Sequence, residues 1–250
     1  MLTLAGSVLH LPEGIRAVPE MGSILHGAMM EIISPDAARD YHTMNLRPYS
    51  QCIYWDSERS CAVWRIGMLT EKARKSILEP LLDVDELYLR QKDIRLRLEP
   101  WKLIRETSYA DLAASFIKGR NAPSGVDMSL LTPTSFKQGG RYVILPDARL
   151  IFQSLIMRWN AFSDTGNLDD TELFKQMVEH CSLSRYRIHS QTYSVDGHMI
   201  YGFAGSMRYH LSGYDMIRRI SSLLMAFAGF SGIGIKTALG MGAVHIGIQY

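Results

Sequence analysis

The sequence predicts an α+β protein of two tandem ferredoxin-like modules, each ordered β-α-β-β-α-β, with a glycine-rich loop near the C-terminus. Three observations carry this expectation. Segments of strand and helix periodicity run through the same order twice in 250 residues. The stretch at 118–125 (KGRNAPSG) concentrates Gly, Pro, Asn and Ser between the two series, as a linker does. The last helix and last strand are separated by GFSGIGIKTALGMGAV, residues 229–244. The boundary is expected near residue 120, giving an N-terminal module at 1–120 and a C-terminal module at 121–250. The length suits one large domain or two of about 100–150 residues each.

In the first unit, Met1 to His10 alternates loosely apolar and is closed by Pro12, which suits an opening strand. From Pro19, Leu25, Ala28, Met29, Ile32 and Ile33 recur at helical spacing. Ser34-Pro35 ends that helix, because proline drives the residue before it out of the α region. A short helix from Asp36 to Tyr41 follows. Tyr49–Trp55 and Cys61–Met68 are rich in β-favouring residues and flank Asp56-Ser57-Glu58-Arg59, a hairpin pattern. Thr70 is the expected cap of a helix carrying Ala73, Ile77 and Leu78 and stopping before Pro80. A strand near Val84–Leu89 completes the unit, and the basic stretch at 90–106 reads as a solvated strand edge.

In the second unit, Met128–Leu131 reads as a strand and Ala148–Phe162 as a helix, with Leu150, Ile151, Leu155 and Trp159 at helical intervals. Leu173–His180 reads as a further helical segment. Arg185–Val195 and Met199–Leu211 flank Asp196-Gly197, a hairpin-turn signal. Ser212-Gly213 opens a helix through Ala228, and Ala243–Gln249 alternates as a closing strand.

Hydrophobic residues make up 47% and charged residues 21%, the balance of a globular chain that buries a core. No uncharged apolar run reaches the roughly 18 residues of a membrane span, and residues 1–12 lack the basic start and small-residue cleavage site of a signal peptide. No membrane association and a cytoplasmic location are expected. Cys52, Cys61 and Cys181 form no CxxC pair and lie near no histidine at zinc-ligand spacing, so reduced thiols are expected. No HExxH or acidic cluster implies a metal, and no cofactor is expected. The formal net charge of +2 is too small to diagnose a nucleic-acid partner.

Gly229, Gly232, Gly234, Gly240 and Gly242 permit positive φ and a close approach of backbone N–H groups to an anion, which suits a phosphate cradle. A tight helix-to-strand connection would equally need them. The loop is not a Walker loop, because no GxxxxGK[ST] occurs, and it follows a helix rather than the strand of a dinucleotide fingerprint.

GIGIKTALGMGAV, set before the last strand of a second ferredoxin-like unit, resembles the C-terminal glycine loop of repeat-associated RNA-processing (RAMP) proteins, and of the CRISPR-associated Cas-six endoribonucleases in particular. TPTSFKQGGRYVILPDARLIFQSLIMRW (132–159) resembles the segment entering the first helix of the second module in type III-A members. LHGAMMEII (25–33) is similar to the family's first helix, and YHTMNLRPYSQ (41–51) to its histidine-bearing turn and following strand.

The resemblance implies metal-independent cleavage of precursor CRISPR RNA within its repeats, leaving 5′-hydroxyl and 2′,3′-cyclic phosphate ends. That reaction needs a base for the 2′-hydroxyl, an acid for the leaving 5′-oxygen, and charge or N–H donors around the phosphate. His42 falls at the family's catalytic histidine. His26, on the first helix and i, i+4 from Met30, is the second candidate. Met30 stands where some members carry tyrosine, no lysine follows the histidine as in some relatives, and Arg47 is the nearest cation. The other six histidines match no catalytic motif.

For RNA, Lys137, Arg141, Arg185, Arg187, Arg208, Arg218 and Arg219 interleave with Tyr142, Tyr186, Tyr193 and Tyr209, a mixture that neutralises phosphates and stacks on bases. Arg185 and Arg187, two apart on a strand, share one face. Gly232, Gly234, Lys236, Gly240 and Gly242 complete the expected RNA-binding set. The partner is precursor CRISPR RNA, with hand-over to a type III effector complex implied by the resemblance; a homodimer is one assembly left open. Two other readings stand beside this one: a catalytically inactive RAMP-type RNA-binding subunit of a CRISPR ribonucleoprotein, and a nucleotide-binding regulatory module.

Overall fold

A computed structural model describes residues 1–195 and 197–250. The N-terminal half contains β1 (Leu2–His10), α1 (Met21–Ile32), α2 (Pro35–Thr43), β2 (Tyr49–Asp56) and β3 (Cys61–Met68). Next come α3 (Glu71–Ala73), a π-helical turn (Arg74–Leu78), α4 (Glu79–Leu82), β4 (Glu86–Leu89), β5 (Ile94–Leu98) and β6 (Lys102–Thr107). Its sheet is ordered β2-β3-β1-β5-β4, with β6 also on β1.

β5 and β6 lie in line along one edge of β1, β6 against Leu2–Gly6 and β5 against Leu9 and His10. Together they take the place of the fourth ferredoxin-like strand. Of the stretch expected to be a solvated edge, β5 is instead paired on both sides, with Leu96 and Leu98 inward and Arg95 and Arg97 out, while β6 is exposed and pairs only with β1, as an edge strand does. The segment expected to close the unit, now β4, is the outer arm of a hairpin with β5.

The helix expected to stop before Pro80 instead continues to Leu82. Its π-helical turn shifts the hydrogen-bond register, and Pro80 falls in the first turn of α4, where a missing N–H leaves no bond unmade. α5 (Tyr109–Ile117) was not expected either. Ser108 caps it by accepting from Asp111 N at 2.9 Å, and Tyr109, Leu112 and Phe116 are its buried face.

The C-terminal half holds β7 (Gly125–Thr134), β8 (Phe136–Gln138), β9 (Arg141–Val143), α6 (Ala148–Phe162) and α7 (Thr171–Glu179). It ends with β10 (Cys181–Val195), β11 (His198–Leu211), α8 (Asp215–Ser231) and β12 (Val244–Gln249). Its sheet order, β10-β11-β7-β12, repeats the first half's order of second, third, first and fourth strand, all antiparallel. Both halves are thus ferredoxin-like. Of the expected turn at 196–197, Gly197 has φ +78° and Asp196 lies outside the described residues. β8 and β9 form a separate hairpin whose turn glycines, Gly139 and Gly140, both have positive φ, as a type I′ turn requires.

The halves share a buried interface. Leu2 and Leu4 of β1 belong to the same apolar cluster as Tyr109, Phe116, Trp159, Phe227 and Phe230. Ser50 Oγ donates to the Phe230 carbonyl at 2.6 Å, and a Cβ at Gly67 would collide with that same carbonyl. Tyr109 Oη donates to Leu69 O at 3.0 Å. Among the described residues no helix is long and apolar enough to cross a membrane.

Candidate active site and RNA interface

The break at Ser34-Pro35 lets α2 fold back beside α1. Ser34 Oγ caps α2 by accepting from Ala37 N at 3.3 Å, and the chain then turns through residues 44–48 into β2. This path gathers positions 26, 41, 42, 47 and 49. His26, half-buried on α1, has Nε2 3.0 Å from Tyr49 Oη, with the two rings within 19° of parallel. Tyr49 is 1% exposed and meets the Tyr41 ring edge-on at 5.2 Å. Tyr41 is itself anchored by a 2.6 Å hydrogen bond to Ser76.

Arg47 Nε donates to the Tyr41 carbonyl at 2.8 Å, satisfying an acceptor that the last turn of α2 leaves open. His42 follows Tyr41 in that turn, solvent-exposed and with no hydrogen-bond partner among the described residues. The expected histidine-bearing turn is thus the end of a helix. Burial pushes His26 from the ordinary histidine value down to about 4, and the charges of Arg47 and His42 push it the same way. Arg47 and His42 therefore both lie close enough to act on His26, which is uncharged at neutral pH.

The glycine loop docks against the start of α1. Gly232, Gly234, Gly240 and Gly242 have φ of +65°, +76°, +108° and +68°. Three of them direct their N–H groups inward, Gly232 to Ala228 O at 2.8 Å, Gly234 to Ser154 Oγ at 2.9 Å and Gly242 to Pro133 O at 2.9 Å. These donors are committed to the protein, so at these positions glycine serves close packing. A Cβ on Gly240 would meet the Tyr193 hydroxyl, and one on Gly22 would meet the Gly240 backbone. Lys236 stands exposed at the tip, in left-handed backbone at φ +57°.

Three buried polar side chains hold this loop: Arg158 and Gln51, to which the sequence assigns no role, and Tyr193, expected among the RNA-stacking tyrosines. Arg158, 4% exposed, donates to Ser154 Oγ at 2.7 Å and Gly234 O at 2.8 Å. Gln51 donates to Gly22 O at 2.7 Å and Ala238 O at 3.1 Å, and accepts from Trp64 Nε1 at 3.0 Å. Tyr193 Oη lies 2.6 Å from Leu239 O and 3.0 Å from Pro19 O, linking the loop to the lead-in of α1. Only Arg158 left a trace in sequence: with Ser154 it is an i, i+4 polar pair on a helix whose neighbours on that side are apolar.

The basic residues divide. Arg219 is buried and donates to Phe116 O and Gly119 O, holding the end of α5. Tyr193 and Tyr209 are buried. None of these three offers a face to RNA, because α8, β10 and β11 turn those positions inward. Arg218 pairs with Asp215. Arg208 grips Asp127 with two bonds and holds its carboxyl below the usual range. Arg185, Tyr186 and Arg187 remain exposed on β10 and line, with Ser206 and Arg208, a groove of about 470 Å³. Lys137, Arg141 and Tyr142 are exposed on the β8–β9 hairpin. Among the described residues no three His, Cys, Asp or Glu side chains converge.

Residues 128–244 match the family model described as CRISPR-associated endoribonuclease Cas6. The CRISPR-associated endoribonuclease Cas6 of Mycobacterium tuberculosis is 33% identical over 229 residues, covering 92% of this chain and 72% of that protein. The Streptococcus thermophilus protein of the same name is 26% identical over 221 residues, covering 88% and 89%. Among solved structures, a Cas6 product complex superposes with TM-score 0.81 at 21% identity, over 99% of this chain and 100% of that one. Thermus thermophilus Cas6 superposes with TM-score 0.75 at 22% identity, over 98% of each. At these identities the superpositions bear on the fold alone, whereas the sequence matches bear on descent: the chain belongs to the CRISPR-associated endoribonuclease Cas6 family.

Proposed function

We propose that this member of an RNA-cleaving family cuts precursor CRISPR RNA within its repeat in the cytoplasm, without a metal, leaving a 5′-hydroxyl and a 2′,3′-cyclic phosphate. The observation that carries the reading is the gathering of His26, His42 and Arg47 around one point of the surface. In the reaction the 2′-oxygen loses its proton, ultimately to solvent, and forms a bond to phosphorus; the P–O5′ bond breaks and O5′ takes up a proton. An acid must start protonated, which the uncharged His26 does not. The role falls to His42, which is exposed at the end of α2. Arg47, tied to Tyr41 O through Nε, has further N–H donors for the phosphoryl oxygens.

Substrate contacts are proposed at Arg185 and Arg187, at Lys137 and Arg141, and at Lys236. All five are exposed cations, and Tyr186 and Tyr142 offer stacking faces beside them. The likeness of 132–159 to type III-A members supports hand-over of the product to a type III effector complex.

The experiment is incubation of the purified chain with its genomic repeat RNA in excess EDTA. One cut with a cyclic-phosphate end is expected, and His42→Ala is expected to slow single-turnover cleavage by about 100-fold or more with RNA affinity retained. Binding with intact RNA would instead make the chain an inactive RNA-holding subunit. Wild-type rate in His42→Ala, with loss in His26→Ala, would move the acid role to His26.

A further inference from the structure

The hydrogen bond between His26 and Tyr49 can be drawn with either side as donor, and burial decides between the two. Tyr49 is 1% exposed, and the His26 ring nitrogen at 3.0 Å is its hydroxyl's one hydrogen-bond partner among the described residues. If Nε2 carried the proton and donated to Tyr49 Oη, the phenolic O–H would be left in the core with no acceptor, a desolvated donor that folded proteins avoid. If Tyr49 donates, both groups are satisfied. Nδ1 has no partner among the described residues, yet it is absent from their sealed, unpartnered atoms, so it reaches solvent. The surroundings are rigid: Tyr41 packs edge-on against Tyr49, and Ser76 holds Tyr41.

We propose that Tyr49 is a positioning residue: its hydroxyl donates to His26 Nε2, places the proton of the uncharged imidazole on Nδ1, and makes His26 an N–H donor to the scissile phosphate rather than a base. The inference rests on His26 belonging to the active site proposed above. Charge builds on the phosphoryl oxygens as O2′ attacks, and a fixed N–H aimed there stabilises the transition state without any proton leaving the imidazole. A tautomer set by the partner of the second ring nitrogen is a general way of fixing what a histidine presents to substrate. His26 and Arg47 then share the phosphate, and His42 alone transfers a proton.

The test uses the full chain with 15N-labelled histidine. At neutral pH, two-bond 1H–15N spectra of the wild type are expected to show a protonated Nδ1 and an unprotonated Nε2 for His26. In Tyr49→Phe the Nε2–H form is expected to appear, and the single-turnover rate on repeat RNA to fall about tenfold, the equivalent of one hydrogen bond, with RNA affinity unchanged. An Nε2–H tautomer in a wild type that cleaves RNA would overturn the inference alone, as would a folded Tyr49→Phe with unchanged tautomer and rate. Should Tyr49→Phe fail to fold, the wild-type spectrum decides. A wild type that cuts no RNA would overturn the catalytic reading, while the spectrum would still report whether Tyr49 sets the tautomer.

Discussion

Arg158 Nη2 donates to the Gly234 carbonyl at 2.8 Å, joining the middle of α6 to the first bend of the glycine loop across 76 positions of sequence. The guanidinium is fully enclosed, with no carboxylate within ion-pair distance among the described residues, and burial lowers its pKa to about 10. Backbone and hydroxyl oxygens alone solvate it: Ser154 O and Oγ, Gly234 O and Thr237 Oγ1.

Arg158→Met is therefore expected to cost about 1–3 kcal/mol in urea unfolding, because the Gly234 carbonyl loses a buried donor. Arg158→Lys should not restore stability, since one ammonium cannot reproduce the planar fork that reaches Ser154 and Gly234 together. Equal midpoints for wild type and Arg158→Met would show that the loop holds its shape without this donor.

Stability should fall on mild acidification through His26. Its folded pKa, about 4, lies below the unfolded value of 6.5, so between these values the unfolded chain binds a proton that the folded chain refuses. The contribution is fully present above pH of about 6.5 and is lost as pH falls toward 4, to an order of 3 kcal/mol. His26→Gln should flatten the acid limb in denaturant titrations between those pH values. A limb of unchanged slope would assign it to other groups.

The exposed pair on β10 should act through phosphates. Arg185→Ala with Arg187→Ala is expected to weaken repeat-RNA binding and to lower the magnitude of the log K against log salt slope by about 1.4, twice the single-strand increment. An intact slope in fluorescence anisotropy titrations would take both residues out of the RNA path. Arg219→Ala, by contrast, should lower stability and leave the slope alone, because that side chain holds Phe116 O and Gly119 O.

Local patterns carried much of the architecture. Ala148–Phe162 is a helix with the expected bounds, because its apolar spacing and its Asp147 cap act within a few residues. The two β-α-β-β-α-β series were legible for the same reason. Residues 94–107 were not: the alternation of Ile94-Arg95-Leu96-Arg97-Leu98 shows a strand but is silent on its neighbour, and pairing with β1 across some 90 positions made it part of the sheet. Pro80 misled because a π-helical turn upstream changed which N–H could be spared.

By itself, the sequence determined most of the helices and strands of the two repeated series, the family resemblance and the candidate histidines, since periodicity, caps and motifs are short-range. Only the tertiary structure decided that His26 is enclosed beside Tyr49 while His42 stays open to water, that the loop glycines turn their N–H groups inward, and that Tyr193, Tyr209 and Arg219 are framework. Each depends on which backbone packs against which side chain from a distant part of the chain, and burial sets both the charge on a histidine and the partner a buried donor must find.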